Sequence, residues 1–312
     1  MIDTKILIIT GPTAVGKTRL SLELANKYNG EIISADSMQI YKGMDIGTAK
    51  ISKEKMKDIP HYMINIIEPD SEYSLADYQK TVDNIINNVV KNKKLPIMVG
   101  GTGLYINAVI DGFMLPEMDK NEDLRSSLFK EAEEYGKLKV YNKLKKIDPE
   151  LADKLHPNDI RRVIRGIEIY KETGKTKSSF EKKQKERVPR YNVLKIALMR
   201  DRQELYTRIN KRVDKMIKNG LIDEVQDLMN KYNLSKTARQ ALGYKEIINY
   251  LNGERKLSEA IRIIKRDTRH YAKRQLSFLR RDEDIIWYNL SNISYQMLLN
   301  NISELINDFI EK

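Results

Sequence analysis

The sequence predicts an α/β fold: a P-loop parallel sheet flanked by helices, with an inserted small helical domain and a helical C-terminal part. Three observations lead there. Short apolar runs rich in β-branched residues alternate with longer helical patterns, which is βαβ punctuation. A glycine-containing phosphate-loop motif stands between the first such run and the first helix. A charged, helical stretch without strand pattern then separates two segments that both read as sheet.

Lys5–Thr10 is the first strand, Arg19–Tyr28 the first helix, Glu31–Ser34 the second strand and Leu95–Val99 a later one. Near-continuous apolar strands joined by crossover helices imply a parallel sheet covered on both faces. Val193–Leu198 is expected to rejoin that sheet, and Ile285–Tyr288 reads as a short further strand. Residues 1–115 therefore form the first part of a P-loop catalytic core, 116–192 an inserted helical domain, and 193–312 the second part of the core with its C-terminal helices. Gly220, Gly243 and Gly253 punctuate those helices. Lys171–Arg190 is Lys-rich and reads as a loop or a solvated helix.

With 312 residues, 41% hydrophobic and 32% charged, the chain is long enough for one large domain or two modest ones. A net charge of +12 suggests a surface that faces a polyanion, with compositional bias as the competing explanation. No cysteine occurs, which excludes a disulfide framework, a thiolate zinc site and a cysteine nucleophile. The apolar run Ile6–Ile9 leads into a glycine loop rather than a cleavage site, and no apolar stretch approaches the ~20 residues of a spanning helix. A cytoplasmic protein with no membrane partner, acting as a monomer, is expected.

Gly11-Pro12-Thr13-Ala14-Val15-Gly16-Lys17-Thr18 matches G-x-x-x-x-G-K-[ST] in the strand-loop-helix context the motif requires. Its glycines let successive backbone N–H groups surround a phosphate, and the helix that follows directs its positive end at the same anion. Lys17 is expected to neutralise the terminal phosphate. The Thr18 hydroxyl is expected to ligate Mg²⁺, which keeps several waters and takes few protein ligands. Nucleotide hydrolases normally carry an acidic residue at the end of another strand. Here Pro96–Val99 runs into Gly100-Gly101-Thr102-Gly103, which weighs against simple ATPase chemistry.

A second block, Ser34 to Lys50 (SADSMQIYKGMDIGTAK), begins at the carboxyl end of the second strand, where ligands bind in doubly wound sheets. Asp36 in that place either meets a phosphate-bound substrate or caps the following turn.

Together these two blocks, Gly100–Tyr105, His156–Arg162 and Ala241–Glu246 resemble the tRNA dimethylallyltransferase family over residues 5 to 290. Tyr62 departs from the family, which often carries a second histidine after the equivalent of His61. The resemblance implies that Gly11, Thr13, Ala14, Val15, Gly16, Lys17 and Thr18 hold dimethylallyl diphosphate. It also implies that the adenosine 3′ of the anticodon is flipped out of its stack to receive the prenyl group. Asp36 would take the proton of the exocyclic amine, and Thr102 would be the second polar group at the adenine. Ser37, Met38 and Gln39 would line the base pocket, and Arg125, Arg161 and Arg165 would meet the anticodon stem-loop of tRNA.

Arg161 and Arg165 share one face of a helix whose other face carries Ile160, Val163, Ile164 and Ile167. In a longer helix, Ser258 to Arg281, the cations Arg262, Arg266, Arg269, Lys273 and Arg280 share a stripe that either follows a phosphate backbone or pairs internally. Arg208 and Arg212 could reach the diphosphate from the far side, with Arg212 preferred. The alternatives are a P-loop nucleotide kinase with a basic lid and an RNA-binding nucleotide switch.

Overall fold

The computed structural model describes residues 4–116, 118, 120–186 and 188–311. In chain order the elements are β1 (Lys5–Thr10), α1 (Lys17–Lys27), β2 (Gly30–Ala35), α2 (Lys53–Met56), β3 (His61–Tyr62), α3 (Leu75–Lys91), β4 (Leu95–Gly100) and α4 (Gly103–Ile110). Five helices follow: α5 (Glu122–Tyr135), α6 (Lys137–Ile147), α7 (Pro149–Asp153), α8 (Ile160–Thr173) and α9 (Lys177–Lys185). The chain then continues with β5 (Asn192–Met199), α10 (Arg202–Lys218), α11 (Leu221–Lys231), α12 (Lys236–Arg239), α13 (Tyr244–Leu251), α14 (Leu257–Leu279), β6 (Ile286–Asn289) and α15 (Tyr295–Glu311). Its compact units are residues 1–110 with 190–312, and residues 111–189.

Among the described residues six strands form one sheet in the order β3-β2-β4-β1-β5-β6, and every neighbouring pair is parallel. Alternation along β1 explains why both faces are covered. Ile6 and Ile8 point into a cluster with Tyr78, Val82 and Ile86 of α3 and Val109 of α4. Leu7 and Ile9 point the other way, onto Leu20 and Leu24 of α1, Leu205 and Ile209 of α10, and Ile302 of α15. The expected α/β class and parallel sheet are thus present. β3, a two-residue strand at the sheet edge, escaped the sequence reading because it is too short to show alternation.

A third cluster anchors the second sequence block. Ile40, Tyr41 and Met44 pack with Val225 of α11, Tyr244 and Ile247 of α13 and Ile264 of α14. This loop is therefore part of the core.

In the helical unit, Leu128, Val140, Leu144, Leu151, Val163 and Ile167 close a separate core. The apolar stripe of α8 is buried there as its spacing predicts. Gly174, in the left-handed region at φ 68, ends α8. The Lys-rich stretch beyond it contains the helix α9.

Candidate active site

β1 delivers its phosphate loop to the tip of the sheet, where Thr10 donates through its hydroxyl to Gly100 O at 2.9 Å and ties β1 to β4. Ala14 holds φ 63, a conformation that non-glycine residues rarely adopt and that persists where surroundings enforce it. Two arginines supply that constraint: Arg208 donates to Ala14 O at 2.9 Å and Arg200 to Val15 O at 3.1 Å. Gln275 of α14 supplies more. Its Oε1 accepts the Thr13 N–H at 3.0 Å and its Nε2 donates to Gly101 O at 2.9 Å. A Cβ at position 101 would stand 2.0 Å from that Nε2, so glycine is what lets the β4 tip close on Gln275.

Lys17 Nζ donates to Gly11 O and Pro12 O at 2.8 and 2.9 Å. Burial first, then the positive charge of Arg212, lowers Lys17 to about 7, while Asp36 opposes the shift. The phosphate loop thus presents a cation whose proton is loosely held until an anion arrives.

Asp36 follows β2 directly. Its Oδ1 accepts the Met38 N–H at 2.9 Å, so it caps the turn. Oδ2 has no hydrogen-bond partner among the described residues, and the carboxylate lines both neighbouring cavities. The two readings of Asp36 are therefore compatible. Beside it, Thr102 donates its N–H to Ala35 O at 3.1 Å and accepts the Ser37 N–H on Oγ1 at 3.4 Å. Tyr271 of α14 joins this group, lining both cavities with Asp36, its phenol pushed up by burial and then by the Asp36 charge.

Two cavities meet here. The first, about 490 Å³, is lined by the phosphate loop from Thr13 to Thr18 and by Arg19, Arg208, Lys211, Arg212 and Lys215, with Asp36 as the acidic residue in its wall. The second, about 330 Å³, has largely apolar walls that include Met38, Ile209, Val213, Met216, Leu242 and Ile264. Thr13, Asp36, Arg212 and Tyr271 line both. The arrangement suits a polyanion with an apolar tail, held so that the junction between the two parts lies beside a carboxylate.

The structure brings together Gly11 to Thr18, Asp36, Thr102 and Arg212. Arg212 donates to Thr48 O at 3.3 Å, and burial lowers its pKa against the opposing charge of Asp36. Arg208 also reaches the loop and lines the cationic cavity. Ser37 and Met38 line the apolar cavity and Gln39 the cationic one.

The insertion arginines have a different setting. Arg125 grips the buried Glu168 through two bonds of 2.8 and 2.9 Å, and Arg165 donates to the same carboxylate at 2.6 Å. Arg161 is exposed. On α14, Arg266 pairs with Asp267 and Arg269 donates to Asn210, whereas Arg262, Lys273 and Arg280 are exposed with no acidic partner among the described residues.

Sequence reasoning missed Gln275 and Tyr271. Both lie within the Arg-rich helix, where charge drew attention away from the buried side. Their spacing of four residues on one helical face was the available signal.

A parallel sheet with a phosphate loop at the tip of β1, and a carboxylate two strands away across β4, defines a P-loop enzyme. Residues 39–282 match the family model for IPP transferase, and the chain belongs to that family. It is 63% identical over 309 residues to the tRNA dimethylallyltransferase of Halothermothrix orenii, covering 99% of this chain and 94% of that one. The crystal structure of the full-length tRNA isopentenylpyrophosphate transferase from Bacillus halodurans aligns with a TM-score of 0.75 at 43% identity, over 99% of this chain and 97% of that one. A eukaryotic dimethylallyltransferase acting on tRNA aligns with a TM-score of 0.82 at 31% identity, over 99% and 80%. Among the described residues no helix is long and apolar enough to cross a membrane.

Proposed function

We propose that this chain transfers the dimethylallyl group of dimethylallyl diphosphate to the exocyclic amine of the adenosine 3′ of the anticodon in tRNA, releasing diphosphate. One observation carries the reading: Asp36 and Arg212 stand where a cationic phosphate-loop cavity opens into an apolar one. The diphosphate is held by the loop amides, Lys17 and Arg212. Met38, Val213, Met216 and Ile264 offer apolar walls to the prenyl group and to the purine that enters beside it.

The amine nitrogen forms a bond to the allylic carbon, the carbon–oxygen bond to the diphosphate breaks, and the amine proton passes to Asp36. Arg212 and Lys17 stabilise the charge that gathers on the departing diphosphate. Thr102 and Tyr271 hold the polar edge of the site beside Asp36.

Mg²⁺ fits the residues present. Thr18 is exposed, and among the described residues its hydroxyl has no hydrogen-bond partner and no cluster of three acidic or histidine side chains gathers there. Such a set suits an ion carried largely by the diphosphate and water. Bound by Thr18, Mg²⁺ would supply further charge neutralisation to the leaving group.

The tRNA backbone follows the exposed cations Arg262, Lys273 and Arg280 of α14. On the helical unit it meets chiefly Arg161, because Arg125 and Arg165 are held by Glu168. The protein works as a cytoplasmic monomer.

Incubation with unmodified tRNA, Mg²⁺ and dimethylallyl diphosphate, followed by digestion and mass analysis, is expected to yield an adenosine with one added dimethylallyl group. ATP turnover without that nucleoside would favour a kinase and overturn the reading.

A further inference from the structure

The block from Asp36 to Lys50 is the most specific stretch of this sequence, yet the chemistry above uses only its first four residues. The remainder forms a loop held by a carboxylate from far along the chain. Glu224, in the first turn of α11, accepts the N–H of Asp45 at 3.0 Å and of Ile46 at 2.7 Å on Oε2. Its Oε1 accepts the Gly47 N–H at 3.1 Å and the Tyr244 phenol at 2.6 Å. Three consecutive backbone N–H groups converging on one anion form a nest, and here the anion is part of the protein.

The next residue connects that nest to the site. Thr48 O accepts from Arg212 at 3.3 Å and from Gln39 at 3.4 Å. Lys50 fixes the far end of the loop by donating to Tyr41 O at 2.7 Å and to Asp45 Oδ1 and Asn65 Oδ1 at 2.6 Å each. Gly47 abuts the Tyr244 ring, where an added Cβ would stand 2.4 Å from Cε2. The loop therefore cannot slide toward α13, and the Glu224 carboxylate stops it from lifting away. Arg212 lines both cavities, so the place of the Thr48 carbonyl sets where its guanidinium can point.

We infer that Glu224 is a positioning residue for the donor diphosphate, acting through the Asp45–Thr48 loop on Arg212. Glu224 touches no substrate. Its carboxylate orders the loop, the loop presents one carbonyl, and that carbonyl aims the cation at the anion. Four hydrogen bonds to one charged acceptor are individually strong, and an amide in its place offers a poorer acceptor and two donors that would face N–H groups. The inference rests on the diphosphate reading of the cationic cavity.

The test measures inorganic pyrophosphate binding by calorimetry with Mg²⁺ for wild type, Glu224→Gln, Arg212→Met and the double variant. Glu224→Gln is expected to weaken pyrophosphate binding on the order of tenfold and to leave tRNA affinity unchanged. In the Arg212→Met background it is expected to have no further effect, because residues that act through one another are not additive. A staple that serves only folding lowers thermal stability without this coupling. Equal affinity of wild type and Glu224→Gln, or additive losses in the double variant, overturns the inference. Should Glu224→Gln fail to fold, Tyr244→Phe removes only the phenol bond. It is expected to weaken pyrophosphate binding a few-fold, and no change there also overturns the inference. A wild type that binds no pyrophosphate instead rejects the site assignment beneath it.

Discussion

Replacing Asp36 with asparagine separates catalysis from binding in this site. Oδ1 accepts the Met38 N–H, and an asparagine carbonyl keeps that bond, so the turn after β2 is expected to survive. What disappears is the acceptor for the amine proton. General bases contribute roughly 10²–10⁴-fold, and at about 1.36 kcal/mol per decade the barrier rises by about 2.7–5.4 kcal/mol. Donor binding should respond in the opposite sense. The charge of Asp36 opposes the lowering of both the Lys17 and the Arg212 pKa, so it partly neutralises the field that attracts a diphosphate. Without it, pyrophosphate should bind equally well or more tightly. Single-turnover assays on unmodified tRNA, with the product nucleoside quantified by mass, give the chemical step, and calorimetry gives pyrophosphate affinity. Turnover within a few-fold of wild type would remove Asp36 from the proton transfer. Loss of pyrophosphate binding would instead make Asp36 a structural support of the cavity.

Three further outcomes are expected. Lys17 sits near pKa 7 in the free protein against 10.5 ordinarily. Between these values the unfolded chain holds a proton the folded one has released, so Lys17 makes stability rise with pH across that window. Pyrophosphate should pull that proton back, giving proton uptake on binding at about pH 8. Calorimetry in buffers of different ionisation enthalpy measures it, and Lys17→Met showing the same uptake would refute the shift. Gly101→Ala places a Cβ 2.0 Å from Gln275 Nε2 and should break the bridge to Thr13. A loss of about 1–3 kcal/mol in stability and weaker pyrophosphate binding are expected, and a melting temperature and affinity equal to wild type would show that Gln275 moves aside harmlessly. Reversing Arg262 and Lys273 to glutamate should weaken tRNA binding and reduce its salt slope by about 1–2. An unaltered slope in filter-binding titrations would take the α14 stripe off the RNA path.

Local features were legible because their physics is local. The phosphate loop needs a strand, eight consecutive residues and a helix, and all of these are adjacent in the chain. The α/β class followed from apolar runs such as Lys5–Thr10 and Leu95–Val99, whose burial on both faces leaves no alternation to read. The α8 core face followed from helical spacing. Asp36 could be placed at a strand end, but its turn-capping bond to Met38 and its position on two cavity walls were separate alternatives until the β4 tip and α14 were seen beside it.

By itself, the sequence determined the main strands, the phosphate loop and the family resemblance, since each is encoded in neighbouring residues or in a short run of them. Only the tertiary structure decided which distant groups meet. Gln275 reaches Thr13 across 262 positions and Glu224 reaches Gly47 across 177, and no periodicity spans such intervals. It also decided how charge is spent. Arg125 looks like any surface arginine until Glu168, 43 positions away, is found buried beneath it, because a buried carboxylate must be paired and the chain does not announce its partner.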